Sequence, residues 1–168
     1  MNIREGTEKD LPAILGIMND AILHTTSIYD YHPRSAAYVQ DWFEKKRQDG
    51  LPVIVCEHQG EAVGYGSYGI FRPWEAYQHS AEHSVYIRED SRGRGFGGKL
   101  LQALIDTARH QGFHTLIAGV DMDNESSRKL HRKFGFVEAG RLREVGFKFD
   151  KWLDLVFLQL MLREDQER

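Results

Sequence analysis

The sequence predicts an α/β (α+β) fold: a mixed, mostly antiparallel sheet of about seven strands with helices on both faces. Three features of the chain predict it. Two apolar runs rich in β-branched residues, Pro52 to Glu57 and Ala62 to Phe71, are separated only by His58-Gln59-Gly60-Glu61, which reads as an antiparallel hairpin. Farther on, the order strand–helix–strand–helix–strand adds helices to the faces of the same sheet. Between them, Leu100, Leu101, Leu104, Ile105 and Ala108 recur at helical spacing, directly after a strand and a glycine-rich turn.

Each element has its own signal. Asn2 to Arg4 suits a short first strand. Thr7-Glu8-Lys9-Asp10 can cap a helix, because the Thr hydroxyl and Asp carboxylate reach backbone N–H groups that lack partners in a first turn. Leu11, Ile14, Leu15, Met18 and Ile22 then form one apolar face. His24 to Pro33 breaks that pattern and carries two exposed aromatics, Tyr29 and Tyr31. A second helix fits Ser35 to Gln48 and buries Tyr38, Val39, Trp42 and Phe43. After the hairpin, Ser84-Val85-Tyr86-Ile87 is a strand, with Glu82, Ser84 and Tyr86 alternating onto one face. A strand over Thr115 to Val120, a short helix near Ser126 to Phe134, and strands over Val137–Arg143 and Trp152–Leu162 complete the chain. No repeat, linker or low-complexity segment interrupts it, so residues 1–168 are read as a single domain.

Composition narrows the function. Apolar residues make up 41% and charged residues 28%, which is ordinary for a globular protein. A net charge of −3 supplies no basic field for nucleic acid, so no nucleic-acid partner is expected. The lone cysteine, Cys56, sits in a Val-Ile-Val-Cys strand pattern and reads as a buried structural thiol rather than a nucleophile. The amino terminus lacks a hydrophobic signal region, and the densest apolar run, Leu155 to Leu162, is interrupted by Gln159. A cytoplasmic protein without a membrane partner is therefore expected. His58, His79 and His83 have no metal-ligand spacing, and no metal is expected.

The chain is organised around Ser80 to Gln111. Gly93, Gly95, Gly97 and Gly98 place four glycines in six positions at the mouth of a helix. Glycine admits positive φ, several N–H groups can converge on one anion, and the helix start adds positive partial charge. Arg92, Arg94 and Lys99 surround this turn, which suits a pyrophosphate or a ribose phosphate. A flexible surface loop is the plainer reading, but such loops rarely sit between a strand and a strongly periodic helix. Gly93-x-Gly95-x-x-Gly98 also spells the dinucleotide fingerprint, with Asp121 as a ribose-binding acid. Against that, the polar residues Arg88 to Arg92 separate the turn from its strand, and repeated βαβ units are missing.

Arg92-x-x-Gly95-x-Gly97 resembles the [QR]-x-x-G-x-[GA] loop with which GNAT-superfamily N-acyltransferases hold the pyrophosphate of acetyl-CoA. Asn124 to Phe136, with Ser127, Leu130, His131, Gly135 and Phe136, resembles the superfamily's N-x-x-[SA]-x-x-L-[YH]-x-x-x-G-F. Ala81 to Ile87 and Val145 to Asp154 are similar to the phosphinothricin and methionine sulfoximine (methionine sulfone) acetyltransferase branch. The likeness runs over nearly the whole chain. It implies a sheet splayed between strands 4 and 5, with acetyl-CoA as cosubstrate in the notch. Val85, Tyr86, Ile87, Arg92, Gly93, Arg94, Gly95, Phe96, Gly97, Gly98, Asn124 and Ser127 would then hold the cofactor. It also implies a homodimer.

Acetyl transfer to an amine needs a base, oxyanion donors and an acid for the thiolate. Glu82 is the candidate base, since burial would raise its proton affinity; a solvated or arginine-paired glutamate is the alternative. His131 is the candidate acid, on one helical face with Asn124 and Ser127; a histidine that only shapes the thiol pocket is the alternative. Many superfamily members carry Tyr there. Arg72, in the aromatic Ile70-Phe71-Arg72-Pro73-Trp74 stretch, is the candidate anchor for an acceptor carboxylate or phosphinate, with Tyr29, His83 and Ser84 completing the acceptor site. Phe71, Pro73 and Trp74 are read as lining the same acceptor site; core or dimer contacts are the alternative for Phe71 and Trp74. Lys148, Trp152 and Asp154 match the branch but are left to packing. The expected activity is direct transfer to the α-amino group of a small amino-acid-like acceptor. A non-catalytic acyl-CoA sensor, an acyltransferase of ordinary amino acids and a protein acetylase are the rivals.

Overall fold

A computed structural model describes residues 1–162; the last six residues of the expected domain lie outside the described residues. Strands β1 (Asn2–Glu5), β2 (Val53–His58), β3 (Glu61–Ile70), β4 (Ser80–Ile87), β5 (Thr115–Asp121), β6 (Val137–Lys148) and β7 (Lys151–Met161) form one sheet in the order β1-β2-β3-β4-β5-β7-β6. Helices α1 (Leu11–His24), α2 (Ala36–Gln48), α3 (Phe96–His110) and α4 (Glu125–Lys133) connect them. The chain groups into two compact units, residues 1–68 with 84–104, and residues 69–83 with those from 105 onward.

In the first unit, β1 pairs antiparallel with β2, and β2 with β3. The β2–β3 turn is built by Gln59 (φ 53°) and Gly60 (φ 82°), two left-handed residues whose twist matches the flanking strands. Thr7 and Asp10 form a capping box before α1, and Arg4 holds both oxygens of Asp10 at 2.8 and 2.9 Å. One core gathers Leu11, Ile14, Met18 and Ile22 of α1 with Val39, Phe43, Val53, Val55 and Tyr65. The buried stripe of α1 also takes Ile17 and Ala21, while Leu15 is only half-buried. Tyr38, expected inside, is exposed. Ser35 caps α2 on the Tyr38 N–H, and the Val39/Phe43 stripe turns inward, leaving Tyr38 about 100° around the helix beneath the Arg34 guanidinium.

On the other side of β3, Gly64 and Gly66 face α3. A Cβ at Gly64 would lie 2.5 Å from Ile87 Cδ1 and 2.9 Å from the Tyr86 carbonyl oxygen. One at Gly66 would lie 2.8 Å from Leu104 Cδ1. The missing side chains let α3 approach closely, and this fixes where its first turn stands relative to the end of β4.

In the second unit, β5 pairs antiparallel with β7 along its whole length, and β7 with β6. Phe149 (φ 53°) and Asp150 (φ 56°) make the two-residue turn between them. β6 runs five residues past its expected end at Arg143, through bulges at Glu138/Gly140 and Leu142/Gly146. Each bulge shifts the two-residue alternation, so the strand lacks a continuous periodic signal.

Gly64→Ala is expected to lower stability by about 1–3 kcal/mol, because the new methyl meets backbone as well as side chain. Urea unfolding followed by circular dichroism reads this as a lower midpoint at unchanged slope.

Candidate active site

The glycine turn belongs to the first unit. A single 3-10 turn (Glu89–Ser91) carries the chain from β4 to Arg92. Gly93 (φ 74°) and Gly95 (φ 80°) take the left-handed conformation that non-glycine residues rarely adopt. Gly97 and Gly98, expected in the loop, instead form the first turn of α3, where their N–H groups have no intrahelical acceptor. Lacking side chains, they leave those amides uncovered. Arg92 donates from Nε to the Ile87 carbonyl at 3.1 Å, and its Nη2 stands 3.5 Å from Asp20. Arg94 donates to His58 Nε2 at 2.9 Å and lies 5.1 Å over the Phe96 ring. Phe96 itself is buried, so a ligand could meet only its backbone. Uncovered amides, a helix start and two exposed arginines fit a diphosphate.

Of the preceding strand, Tyr86 stacks obliquely on Tyr65 at 5.3 Å, and Ile87 and Val85 pack toward the β3 glycines. Their side chains serve packing, which leaves the main chain as what they could offer a ligand. Ser84 is exposed. Tyr29, also in the first unit, is 39% exposed.

The other predicted residues meet in the second unit. β4 pairs parallel with β5 through Ser80↔Thr115, Ala81↔Leu116 and Glu82↔Ile117, and the paired register ends at Glu82. The Glu82 side chain is half-buried, and burial pushes its pKa up. Arg72 opposes that shift: its Nη1 stands 3.9 Å from Glu82 Oε2. The guanidinium is oriented by its neighbour, donating to the Phe71 carbonyl at 2.7 Å and lying 4.0 Å over the Phe71 ring. Phe71 packs edge-on to Phe157 at 6.2 Å and to Tyr77 at 5.9 Å, whereas Pro73 and Trp74 are exposed. Gly119 was not foreseen. A Cβ there would come within 3.1 Å of Glu82 Oε1, so this strand glycine makes room for the carboxylate. A glycine inside a strand is the signal that could have found it.

His131 and His83 form a buried pair. His131 Nδ1 lies 2.7 Å from the Ser127 carbonyl, which can only accept, so this nitrogen carries the proton. In the neutral ring Nε2 must then accept, and it faces His83 Nε2 at 3.2 Å. His83 therefore donates from Nε2, and its buried Nδ1 has no partner among the described residues. Burial lowers both pKa values, that of His83 to about 3. The expectation of His131 as an acid open to a thiolate meets a ring with both nitrogens engaged. His83, expected to touch the acceptor, is inside the protein. Asn124 caps α4, its Oδ1 accepting from the Ser127 N–H at 3.1 Å, which leaves its amide N–H groups for another acceptor. Asp121, the acid of the dinucleotide alternative, is buried and accepts from the Asp123 N–H at 2.8 Å.

Residues 18–136 match the family model of the acetyltransferase (GNAT) family. The chain is 46% identical over 162 residues to an L-methionine sulfoximine/L-methionine sulfone acetyltransferase of Pseudomonas aeruginosa, covering 96% of this chain and 94% of that one. It is 42% identical to the L-amino acid N-acyltransferase MnaT of Escherichia coli, covering 99% and 97%. Among solved structures, a GNAT superfamily phosphinothricin acetyltransferase (Pat) from Sinorhizobium meliloti in complex with AcCoA superposes with a TM-score of 0.94 at 32% identity, covering 98% and 90%. The glycine turn, the carboxylate at the end of the parallel pairing and these likenesses agree: the chain belongs to the GNAT acetyltransferase family.

Proposed function

We propose that this protein transfers the acetyl group of acetyl-CoA to the α-amino group of a small amino-acid-like acceptor of the methionine sulfoximine, methionine sulfone or phosphinothricin type. The observation that carries the reading is the half-buried Glu82 carboxylate beside the Arg72 guanidinium, at the residue where β4–β5 pairing ends. A carboxylate with raised proton affinity can take a proton from an ammonium group, and a guanidinium next to it can hold the acid group of the same acceptor. The amides of Gly93 to Gly98, with Arg92 and Arg94, bind the diphosphate. Main-chain groups of Val85 to Ile87 and the Asn124 amide orient the pantetheine arm. Bound acetyl-CoA supplies a thioester carbonyl: the C–N bond forms, the C–S bond breaks, and the second amine proton leaves with the sulfur.

His131 and His83 are assigned to shaping the site as a neutral pair rather than to proton donation. The E. coli relative favours a second reading, ordinary L-amino acids as acceptors, and a panel of amino acids, methionine derivatives and phosphinothricin assayed by free-thiol release separates the two. Among the described residues no helix is long and apolar enough to cross a membrane. Two copies pair as a homodimer through the apolar β6–β7 hairpin, where Val145, Phe147, Phe149 and Trp152 are exposed. A monomer in sedimentation at micromolar concentration would remove the dimer from the proposal.

Glu82→Gln is expected to cut turnover about 100-fold or more. Calorimetric binding of coenzyme A should persist in that variant. Gly95→Val should do the reverse, weakening coenzyme A binding at least tenfold (about 1.4 kcal/mol). Because the active form of Glu82 is the carboxylate, kcat/KM should fall as pH drops through a value above the ordinary carboxylate range. In ring-nitrogen NMR both rings should still be neutral where an ordinary histidine is half-protonated, and His83 should stay so well into acid. The unfolded chain protonates both rings near pH 6.5 and the folded one does not, so stability should decline as pH falls below about 6.5.

A further inference from the structure

Glu82 and Arg72 are close without being bonded. At 3.9 Å the guanidinium imposes its charge on the carboxylate but occupies neither oxygen as a hydrogen-bond donor. Arg72 is held instead by the Phe71 carbonyl and ring, with 42% of its side chain exposed. It can therefore receive a ligand without being rebuilt. The groups that β5 and β7 present there do not titrate. β5 presents Ile117 in register and Gly119 against Oε1, and β7 presents Leu155 and Phe157 around the same glycine. Among the described residues Arg72 is the one charge that acts on this carboxylate.

An α-amino acid brings both signs of charge on one carbon. Its carboxylate matches the guanidinium fork, and its ammonium group carries the proton that must be removed. Once the carboxylate sits on Arg72, a negative charge offsets the positive one that had weakened Glu82 as a base. The proton then passes from the ammonium nitrogen to a Glu82 oxygen: the N–H bond breaks, an O–H bond forms, and the nitrogen keeps the electron pair it needs for attack. An amine without the carboxylate leaves the guanidinium acting on Glu82 undiminished.

We propose that Arg72 couples acceptor recognition to the base: the acceptor's carboxylate relieves the hold of Arg72 on Glu82, so acceptors lacking it are turned over slowly even at saturation. This rests on the acetyl-transfer reading above, and it moves Arg72 from an anchor that sets KM to a residue that also sets kcat.

The test compares an amino acid acceptor with its own carboxamide on the full chain, following kcat against pH. In the unsubstituted protein the carboxylate acceptor should give kcat at least tenfold higher at neutral pH, with its acid limb displaced upward. In Arg72→Gln the limbs should coincide, and the difference in KM between the two acceptors should shrink with them. Identical kcat profiles in the unsubstituted protein, with a difference in KM alone, would overturn the coupling.

A second measurement needs no turnover. The carboxyl carbon of ¹³C-labelled Glu82, assigned by its loss in Glu82→Gln, is titrated by NMR with and without the α-hydroxy acid counterpart of the acceptor. That probe keeps the carboxylate and lacks the ammonium group. The titration midpoint should rise on addition in the unsubstituted protein and stay fixed in Arg72→Gln. A fixed midpoint with thiol release intact sinks the coupling and leaves the acetyl-transfer reading standing. A rising midpoint with no thiol release from any acceptor supports the coupling and sinks that reading.

Discussion

The structure depends on where one strand stops being paired. β4 and β5 run parallel and share a register only as far as Glu82↔Ile117. A carboxylate at that place is half-buried by the sheet, and its proton affinity rises. Full pairing would leave no opening beside the residue, and no pairing would leave it solvated and weak. Gly119 completes the arrangement from β5. A side chain there would crowd Oε1 and force the carboxylate toward solvent, which would undo the burial.

The turn before α3 depends on glycines in two ways. Gly93 and Gly95 are needed for backbone conformation: space around them is open, but their φ values are left-handed. Gly64 and Gly66 are needed for space, since a Cβ at either would strike α3 or the end of β4. The first pair shapes the turn, and the second pair seats the helix that follows it. Asp20 and His58 then hold Arg92 and Arg94 near the turn without covering it. On the proposed diphosphate role the arginines are oriented in advance, which would reduce the entropy that binding must remove.

Much of this was legible in the chain. The hairpin at Gln59-Gly60, the Leu100–Ala108 stripe and the glycine turn leading into α3 are local signals, and each stands where periodicity or turn chemistry put it. What was not legible depends on partners distant in sequence. Tyr38 differs from Val39 only by its angle around a helix whose inward face is set by tertiary packing. The bulges of β6 erased the alternation that would have carried the strand to Lys148. His83 and His131 are 48 residues apart, and nothing near either one announces that they face each other. Arg72 and Glu82 were each singled out, but their 3.9 Å approach was not, because it depends on how the loop after β3 returns to β4.

The same hydrogen-bond logic decides between direct transfer and an acyl-enzyme. Cys56 is buried and its pKa is pushed up by that burial, so a thiolate is disfavoured. Ser127 looks better placed, with Oγ 3.4 Å from His131 Nδ1. A serine nucleophile needs a histidine nitrogen with a free electron pair. Here that nitrogen carries the proton it donates to the Ser127 carbonyl at 2.7 Å, so it cannot also accept one from the hydroxyl of the same residue. Reversing the His131 tautomer would set the Nδ1 electron pair against the carbonyl oxygen, and would set its Nε2 proton against that of His83 unless the second ring reversed as well. The arrangement that satisfies the Ser127 carbonyl and the contact between the two Nε2 atoms is thus the one that disarms the serine. On the proposed acetyl transfer, Glu82 is then the group to take the proton, and the acceptor's own nitrogen is the nucleophile.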